Sequence, residues 1–370
     1  MILLTLLCIE SAIYLALIAW ITWGLFRIPK SFSHEQPPVS VIVAARNEEE
    51  NIADLLESLC VQDYPAGKFE VIIVDDGSTD STASIITNFI KNHPERHCKL
   101  LHSQNREKVV SPKKNAIDQG IHAATGEIIL LTDADCIVPQ GWITGLVRRF
   151  DPETGMVIGF SPYERPSIKS IPAKFLALDA LSLAAIAAGT SGWGMPATCN
   201  GRNLGYRKSV FQQVGGFEKI KQFASGDDDL FLKLVLKYTD WKIRYVLDPE
   251  LAVPTIMLSN IRQFFHQRMR HASKGLHYEA AKILLLILVY LYNLLLLAAI
   301  LGLVAGQSLW LLFPLVIKFV ADFVLLFTFA TFMHKRFYLT IFPLASIVHL
   351  FYVTIFGALG QLKWFKWKEK

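Results

Sequence analysis

The chain has 370 residues, of which 52% are hydrophobic and only 19% are charged. This composition excludes a purely soluble protein and predicts membrane segments in addition to a folded domain. The net charge of +5 comes without a run of lysine and arginine interleaved with aromatic residues, so we expect no nucleic-acid partner.

The chain begins with an apolar stretch in which Glu10 is the one charged residue between positions 2 and 26. No basic residues precede this stretch and no small-residue cleavage site precedes Arg27, so we predict a retained transmembrane anchor and not a signal peptide. Arg27 and Lys30 follow it, which places the next part of the chain in the cytoplasm. We assign residues 1–30 to this N-terminal anchor.

Between about residues 36 and 275 the pattern changes to that of an α/β domain. Three β-branched runs predict strands: "VSVIVAA" (39–45), "FEVIIVDD" (69–76) and "GEIILLTDAD" (126–135). Segments with helical spacing lie between and after them: "NEEENIADLLESLCVQ", "DSTASIITNFIKNH" and "KKNAIDQGIHAAT". Alternating strands and helices predict a mostly parallel sheet with helices on both faces, in which ligands bind beyond the carboxyl ends of the strands.

A polar cluster follows each of these three strands: "AARNEE", "DDGSTD" and "TDADC" in chain order. Each cluster alone fits a turn or a helix cap. Together they would bring several acids to one crevice, where they would repel one another unless a cation were bound. A metal ion bound to a diphosphate would meet that need.

Five motifs in this order, "VSVIVAARNEEENI", "VIIVDDGSTDST", "ATGEIILLTDADC", "NGRNLGYRKSVFQQVGGF" and "SGDDDLFLK", resemble the family-2 glycosyltransferases of GT-A fold. The resemblance covers roughly residues 39–275. It implies a Rossmann-like, mostly parallel GT-A domain that uses a nucleotide-diphosphate sugar and Mg²⁺ or Mn²⁺.

The D-x-D of "TDADC" is the metal-binding motif that the resemblance implies. Asp135 would be the direct ligand, and Asp133 would face either the ribose or a water molecule on the metal. The bound cation would stabilise the charge on the departing nucleoside diphosphate.

Donor binding would involve residues after the first two strands and at the start of the third predicted helix. Asp76, with Asp75, and Glu48 would accept hydrogen bonds from the base and ribose, and Arg46 belongs to the same set. Either Lys113 or Lys114 would meet the phosphates, with a solvated helix face as the alternative.

The acids of "SGDDDLFLKL" resemble the T-E-D-x-D-L motif that carries the general base. Asp227 stands at the base position and Asp229 at that of the second acid. Because Gly226 replaces the usual glutamate, the choice between Asp227 and Asp228 stays open. Capping of the following helix is the structural alternative. A base here would take the proton from an acceptor hydroxyl, and a single displacement inverts the anomeric configuration.

Two further motifs suggest acceptor or diphosphate contacts. "NGRNLGYRK" (200–208) places Asn203 between two glycines, with a tight loop as the alternative. "FFHQRMRHASKG" (264–275) resembles a Q-x-x-R-W motif, with Gln267 and Arg270 in register and His271 in place of tryptophan. A basic interfacial helix that touches lipid headgroups is the competing interpretation of this second motif.

The remaining apolar segments predict how the chain meets the membrane. Residues 171–189 are apolar but contain Lys174 and Asp179, so we predict either a helix at the membrane surface or a buried domain helix. Spans are predicted near 283–305, 309–333 and 337–360 within a C-terminal membrane region of residues 282–362, followed by a basic tail, 363–370. The lysines of that tail conflict with a fourth full crossing, so three or four spans remain possible.

The preferred hypothesis is a multi-pass membrane glycosyltransferase with a cytoplasmic catalytic domain. It would move a sugar, with inversion, from a nucleotide-diphosphate sugar to a lipid-linked or glycan acceptor delivered at the membrane, in contact with membrane lipids. A processive polysaccharide synthase is the first alternative. A nucleotide-sugar-binding membrane subunit without turnover is the second.

Overall fold

The computed structural model describes residues 2–29, 33–165, 170–256 and 280–359. Its central feature is a seven-stranded sheet of order β3-β2-β1-β4-β7-β5-β8. Strands β1 to β4 run parallel, β5 and β8 are parallel to each other, and β7 is antiparallel to both of its neighbours. The seven strands are β1 Val39–Ala45, β2 Phe69–Asp75, β3 Cys98–His102, β4 Ile128–Leu131, β5 Thr154–Ile158, β7 Leu204–Arg207 and β8 Lys242–Tyr245. A separate parallel pair joins β6 (Tyr163–Arg165) to β9 (Thr255–Ile256).

Helices cover both faces of this sheet because successive strand residues point to opposite sides. The helices are α2 Ile52–Cys60, α3 Thr82–Asn92, α4 Pro112–Ala123, α5 Trp142–Val147, α7 Lys208–Val214 and α8 Asp229–Tyr238. On β1, Val41 and Val43 pack into a core with α2 and α5. Ile42 packs into the core on the other face with α4, α7 and α8. The predicted α/β fold class, with a mostly parallel sheet and helices on both faces, is confirmed.

In the part of the chain that the structure describes, five helical segments are long and apolar enough to cross a membrane: Ile2–Leu25, Ile171–Ser191, Ile283–Val304, Leu309–Phe332 and Arg336–Leu359. Four of them coincide with the predicted spans. They contain the helices α1 (Ile2–Leu25), α9 (Ala280–Val304), α10 (Leu312–Phe332) and α11 (Phe342–Leu359). The fifth is α6, Ile171–Ser191, for which a surface helix or a buried domain helix was predicted.

Helix α6 lies between the sheet domain and the apolar helices. It packs against α1 and α10 on one side and against β8 on the other. At its carboxyl end, Gly189 and Gly192 face Gly24 of α1, where a Cβ on Gly192 would lie 1.8 Å from the Gly24 carbonyl oxygen. Trp193 continues this contact, since its indole N–H donates to the carbonyl of Trp20 at 2.9 Å. The carboxyl ends of α6 and α1 are therefore held together.

Within the described residues, the apolar helices contain a largely buried ion pair. Lys318 Nζ lies 2.5 Å from Asp322 Oδ2 on α10, and the hydroxyl of Tyr14 on α1 donates to Asp322 Oδ1 at 2.5 Å. Each charge is thus compensated within the helix bundle, as a buried ion pair requires. These contacts join α1 to α10.

Candidate active site

The carboxyl ends of β1, β2 and β4 form one edge of the sheet. Strand β1 lies between the other two, with Ala45 in register with Asp75 of β2 and Ile42 in register with Leu131 of β4. The three polar clusters that follow these strands therefore share one crevice. The D-x-D leaves the sheet directly after β4, which ends at Leu131.

Lys113, in the first turn of α4, connects two of the predicted acidic motifs. Its Nζ lies 2.7 Å from Asp133 Oδ1 and 3.6 Å from Asp227 Oδ2. Although burial by itself lowers the pKa of Lys113, the charges of Asp133 and Asp227 outweigh it and raise that pKa above its usual value. Lys113 is thus a permanent cation between the D-x-D and the acidic cluster.

Lys114, the other lysine proposed for the donor phosphates, does not enter the crevice. Its side chain is buried, and Nζ donates to the carbonyls of Ile220 and Phe223 at 2.5 and 2.6 Å. Adjacent residues of a helix point about 100° apart, so the two lysine side chains leave α4 in different directions. Of the two alternatives, Lys113 is the lysine that forms ion pairs with Asp133 and Asp227, so the geometry favours Lys113 for the predicted phosphate contact.

Asp133 and Asp135 have the chemistry of a site for a hard divalent cation. Burial and the neighbouring charge of Asp133 raise the pKa of Asp135, while Arg202 and Lys113 oppose that rise. Oxygen ligands of this kind suit Mg²⁺ and Mn²⁺. Within the described ranges no group of three or more His, Cys, Asp or Glu side chains is placed to hold a metal. The pair fits an ion whose remaining ligands come from a diphosphate and water.

The three consecutive acids at the start of α8 occupy different environments. Asp228 caps the helix: Oδ1 accepts from the Asp229 N–H at 2.6 Å, and Oδ2 accepts from the Gly201 N–H at 3.3 Å. Asp229 Oδ2 lies 3.3 Å from Lys233 Nζ within the helix. Asp227 is the member that faces Lys113. The geometry therefore distinguishes Asp227 from the two acids engaged by the helix.

Gly226, where the family pattern has glutamate, adopts a backbone conformation that suits glycine. Its φ is +102°, and a Cβ there would lie 2.5 Å from Leu230 Cγ. A glutamate would be strained and would clash at this position. The departure from the family motif is thus accommodated by the shape of the loop before α8.

Asp75 and Asp76, two of the residues predicted to bind the donor, lie at the carboxyl end of β2. Asp75 Oδ1 accepts from the Ser78 N–H at 3.1 Å, and Asp76 Oδ1 lies 3.3 Å from Arg106 Nε. Burial raises the pKa of Asp76 to about 6, against the opposing effects of a Ser103 hydrogen bond and the Arg46 charge. Sequence reasoning missed Arg106, which follows the unpredicted strand β3.

Glu48 lies in the loop between β1 and α2. Its Oε2 accepts from Asn51 Nδ2 at 2.9 Å, and its backbone N–H donates to Thr82 Oγ1 at 2.8 Å. These bonds fix the loop that borders the crevice next to Asp76.

The pKa of Asp76 predicts a pH dependence of donor binding. A carboxylate accepts hydrogen bonds from a base or ribose at both oxygens, whereas protonation turns one of these oxygens into a donor, so we expect the dissociation constants of nucleotide-diphosphate sugars to rise as the pH falls below about 6. Calorimetric titration between pH 5 and 8 measures this. Asp76→Asn is the control and should bind weakly with a flatter profile. An identical profile in both proteins would contradict the assignment.

Asn203, predicted near the acceptor, is completely buried away from the crevice. Its Nδ2 donates to the carbonyls of Phe160 and Leu251, both at 2.9 Å, and its Oδ1 accepts from Trp142 Nε1 at 3.0 Å. The side chain thus ties β7 to the segments after β5 and β8. This arrangement corrects the acceptor prediction to a structural role.

Because Asn203 has three buried partners, Asn203→Ala should lower the free energy of unfolding by about 3 kcal/mol. Denaturant unfolding in detergent, followed by tryptophan fluorescence, measures the loss. Asn92→Ala, at the exposed last residue of α3, is the matched control and should change little. Equal stabilities of the two variants would contradict this role.

Gln267 and Arg270, with His271, lie outside the described residues, so their predicted contacts remain predictions.

Arg202 is a further residue that sequence reasoning did not assign. It lies next to Gly201, whose N–H is bound to Asp228, and its charge acts on Asp135.

A mostly parallel sheet with a D-x-D at the end of β4 and acids at the start of α8 is the arrangement expected of a GT-A-like fold. Residues 128–359 match the family model described as Glycosyl transferase family group 2, and residues 40–215 match that described as Glycosyl transferase family 2. The first match covers more than half of the chain, which therefore belongs to this glycosyltransferase family.

Two curated relatives show how far the likeness extends. The chain is 28% identical over 249 residues to a poly-beta-1,6-N-acetyl-D-glucosamine synthase of Staphylococcus epidermidis, covering 66% of this chain and 56% of that protein. It is 36% identical over 124 residues to a beta-monoglucosyldiacylglycerol synthase of Nostoc sp., covering 34% of this chain and 26% of that protein. The chain thus spans about half, or less, of the length of these relatives.

Among solved structures, a mannosyltransferase from Pyrobaculum calidifontis in complex with GDP-Man and Mn²⁺ superposes with a TM-score of 0.60 at 21% identity. The match covers 95% of this chain and 99% of that one. At this identity the superposition establishes the fold. It includes the apolar helices as well as the sheet domain, because nearly the whole of both chains is matched.

Proposed function

We propose that this protein is a membrane-bound, inverting glycosyltransferase that moves a sugar from a nucleotide-diphosphate sugar to an acceptor delivered at the membrane. The observation that carries the proposal is the position of Lys113, which lies between Asp133 of the D-x-D and Asp227 of the acidic cluster. In this proposal the leaving diphosphate lies at Asp133 and the attacking hydroxyl lies at Asp227. The ammonium group of Lys113 would then lie between them.

Asp133 and Asp135 would hold Mg²⁺ or Mn²⁺ together with the donor diphosphate. When bound, the ion supplies positive charge against the negative charge that develops on the leaving group. Lys113 adds a second cation that stays protonated, and Asp75 and Asp76 orient the nucleoside by accepting its hydrogen bonds. These residues fix the donor with its anomeric carbon towards Asp227.

Asp227 is the proposed general base. As the acceptor oxygen forms its bond to the anomeric carbon and the bond to the diphosphate breaks, the hydroxyl proton passes to the Asp227 carboxylate. Asp228 is less suited to this role because its two oxygens accept backbone hydrogen bonds. One displacement of this kind inverts the configuration.

The loop between α6 and β7 supports delivery of the acceptor from the membrane. Its first residue, Gly192, packs on Gly24 at the end of the apolar helix α1, and Gly201 bonds to Asp228 beside the base. These two points are nine residues apart, so at most about 30 Å separates the end of α1 from the acids. Trp193 and Arg27, stacked 4.3 Å apart at this end, suit a membrane interface.

A processive polysaccharide synthase remains the second candidate because the Staphylococcus epidermidis relative is named as the synthase of a polymer. The Nostoc relative is named as the synthase of a glucolipid, which favours the lipid acceptor. A binding subunit without turnover is disfavoured by Asp227, because nucleotide binding alone does not require a base.

The test is release of nucleoside diphosphate by the full-length protein in detergent, with a panel of nucleotide sugars, membrane lipid extract, and either Mn²⁺ or EDTA. Metal-dependent release with one donor, together with a lipid product that carries one added sugar, supports the proposal. A ladder of products identifies a polymerase. Binding of donor without release in any combination contradicts transferase activity.

A further inference from the structure

Arg202 has a fixed backbone position between the base and the sheet. On one side, the Gly201 N–H donates to Asp228 Oδ2 at 3.3 Å. On the other side, Asn203 is buried, and its amide is occupied by three hydrogen bonds. The side chain of Arg202 therefore starts from a rigid point at the crevice, as precise ligand contacts require.

The guanidinium of Arg202 is oriented from two directions. Nε donates to Asn200 Oδ1 at 3.2 Å, and Cζ lies 5.3 Å from the ring centroid of Tyr163, a cation–π contact. The two terminal nitrogens make no hydrogen bond or ion pair within the described part of the chain. A half-buried guanidinium with its outer nitrogens free is suited to bind a phosphate through two parallel hydrogen bonds.

Arg202 lies near the D-x-D, because its cation–π partner Tyr163 pairs with Thr255, and Thr255 forms a β-bridge with Cys136, the residue after Asp135. Its positive charge acts on Asp135, and the charges of Asp133 and Asp135 act on it in turn. None of these acids forms a direct ion pair with Arg202 in the described structure. Near the D-x-D there is thus a lysine that contacts Asp133 and an arginine that forms no direct ion pair with either aspartate within the described residues.

A hydrogen bond from the C-terminal apolar region holds Tyr163, whose ring contacts the guanidinium of Arg202. The hydroxyl of Tyr338, in the short segment between α10 and α11, donates to the backbone carbonyl of Tyr163 at 3.0 Å. Both tyrosines are buried, at 1% and 3% exposure. The link runs from Tyr338 through Tyr163 to Arg202.

We propose that Arg202 binds the diphosphate of the donor from the side opposite Lys113, and that Tyr338 is a positioning residue for it. This inference rests on the proposed function, since it assumes a nucleotide-diphosphate ligand. It assigns the segment that joins the last two apolar helices to the support of the donor site.

The first experiment measures binding of UDP and GDP with Mn²⁺ to full-length protein in detergent. We expect Arg202→Gln to raise the dissociation constant about tenfold or more. Arg202→Lys keeps the positive charge but cannot donate two parallel hydrogen bonds, so its dissociation constant should lie between those of Arg202→Gln and wild type. Arg207→Gln is the control, because Arg207 pairs with Glu127 away from the crevice. An unchanged dissociation constant in Arg202→Gln would overturn the role of Arg202.

The second experiment tests the positioning role. Tyr338→Phe should weaken binding about threefold in the wild-type background and cause no further loss in the Arg202→Gln background. Tyr290→Phe, which removes a hydroxyl directed at the Thr354 carbonyl between apolar helices, is the control. Equal losses in both backgrounds would show that Tyr338 does not act through Arg202. Failure of wild type to bind either nucleotide would instead contradict the proposed function.

Discussion

Asp227→Asn should lower the rate of sugar transfer by about 10²–10⁴-fold while leaving the affinity for the donor within about twofold of wild type. The asparagine preserves the shape of the side chain but accepts no proton from the acceptor hydroxyl. Loss of the carboxylate also removes the negative charge 3.6 Å from Lys113, which leaves that lysine freer to bind a phosphate. Donor titration and nucleoside diphosphate release on the same preparation separate the two effects.

Asp228→Asn provides the matched comparison for Asp227→Asn. Asparagine caps helices about as well as aspartate, so this variant should fold normally and keep most of its transfer activity. The opposite pattern, with full activity in Asp227→Asn and none in Asp228→Asn, would move the base by one residue along the chain.

Asp135→Asn should remove the effect of metal on donor binding, with a loss of more than about 100-fold in the affinity measured with Mn²⁺. The substitution replaces a charged oxygen ligand by a neutral amide and relieves the repulsion from Asp133. Wild-type protein should bind the nucleotide much more tightly with Mn²⁺ than with EDTA, whereas the variant should bind equally in both.

Asp118→Asn is the control for Asp135→Asn, because this carboxylate lies on α4 beside His122. It should retain the full response to metal. A metal response that survives in Asp135→Asn would show that the cation is held elsewhere.

The sequence was sufficient to locate the crevice because its walls are strand ends. The runs at 39–45 and 69–76 coincide with β1 and β2, and β4 begins two residues into the third run. These strands are neighbours in the sheet, so motifs far apart in sequence meet. The antiparallel strand β7 was not predicted, because its pairing with β4 and β5 depends on chain segments that are distant in sequence.

Side-chain direction was the part that the sequence could not supply. Lys113 and Lys114 are the same residue type at adjacent positions, so the sequence does not distinguish them. The packing of α4 directs Lys113 towards Asp133 and Lys114 towards the carbonyl of Ile220. Asn203 matched a family motif but points away from the crevice. Arg202, beside it, carried no periodicity or spacing signal, and its place near the acids follows from three-dimensional contacts alone.

The position of α6 has a practical consequence for handling the protein. One continuous buried cluster contains Ile42 of the sheet, Leu181 of α6, Ile18 of α1 and Phe329 of α10. A shortened version without the terminal helices would expose this surface to water and would be expected to aggregate. Because of this shared interior, biochemical work on this enzyme should begin from the full 370-residue chain in detergent or lipid nanodiscs, and not from an excised sheet domain.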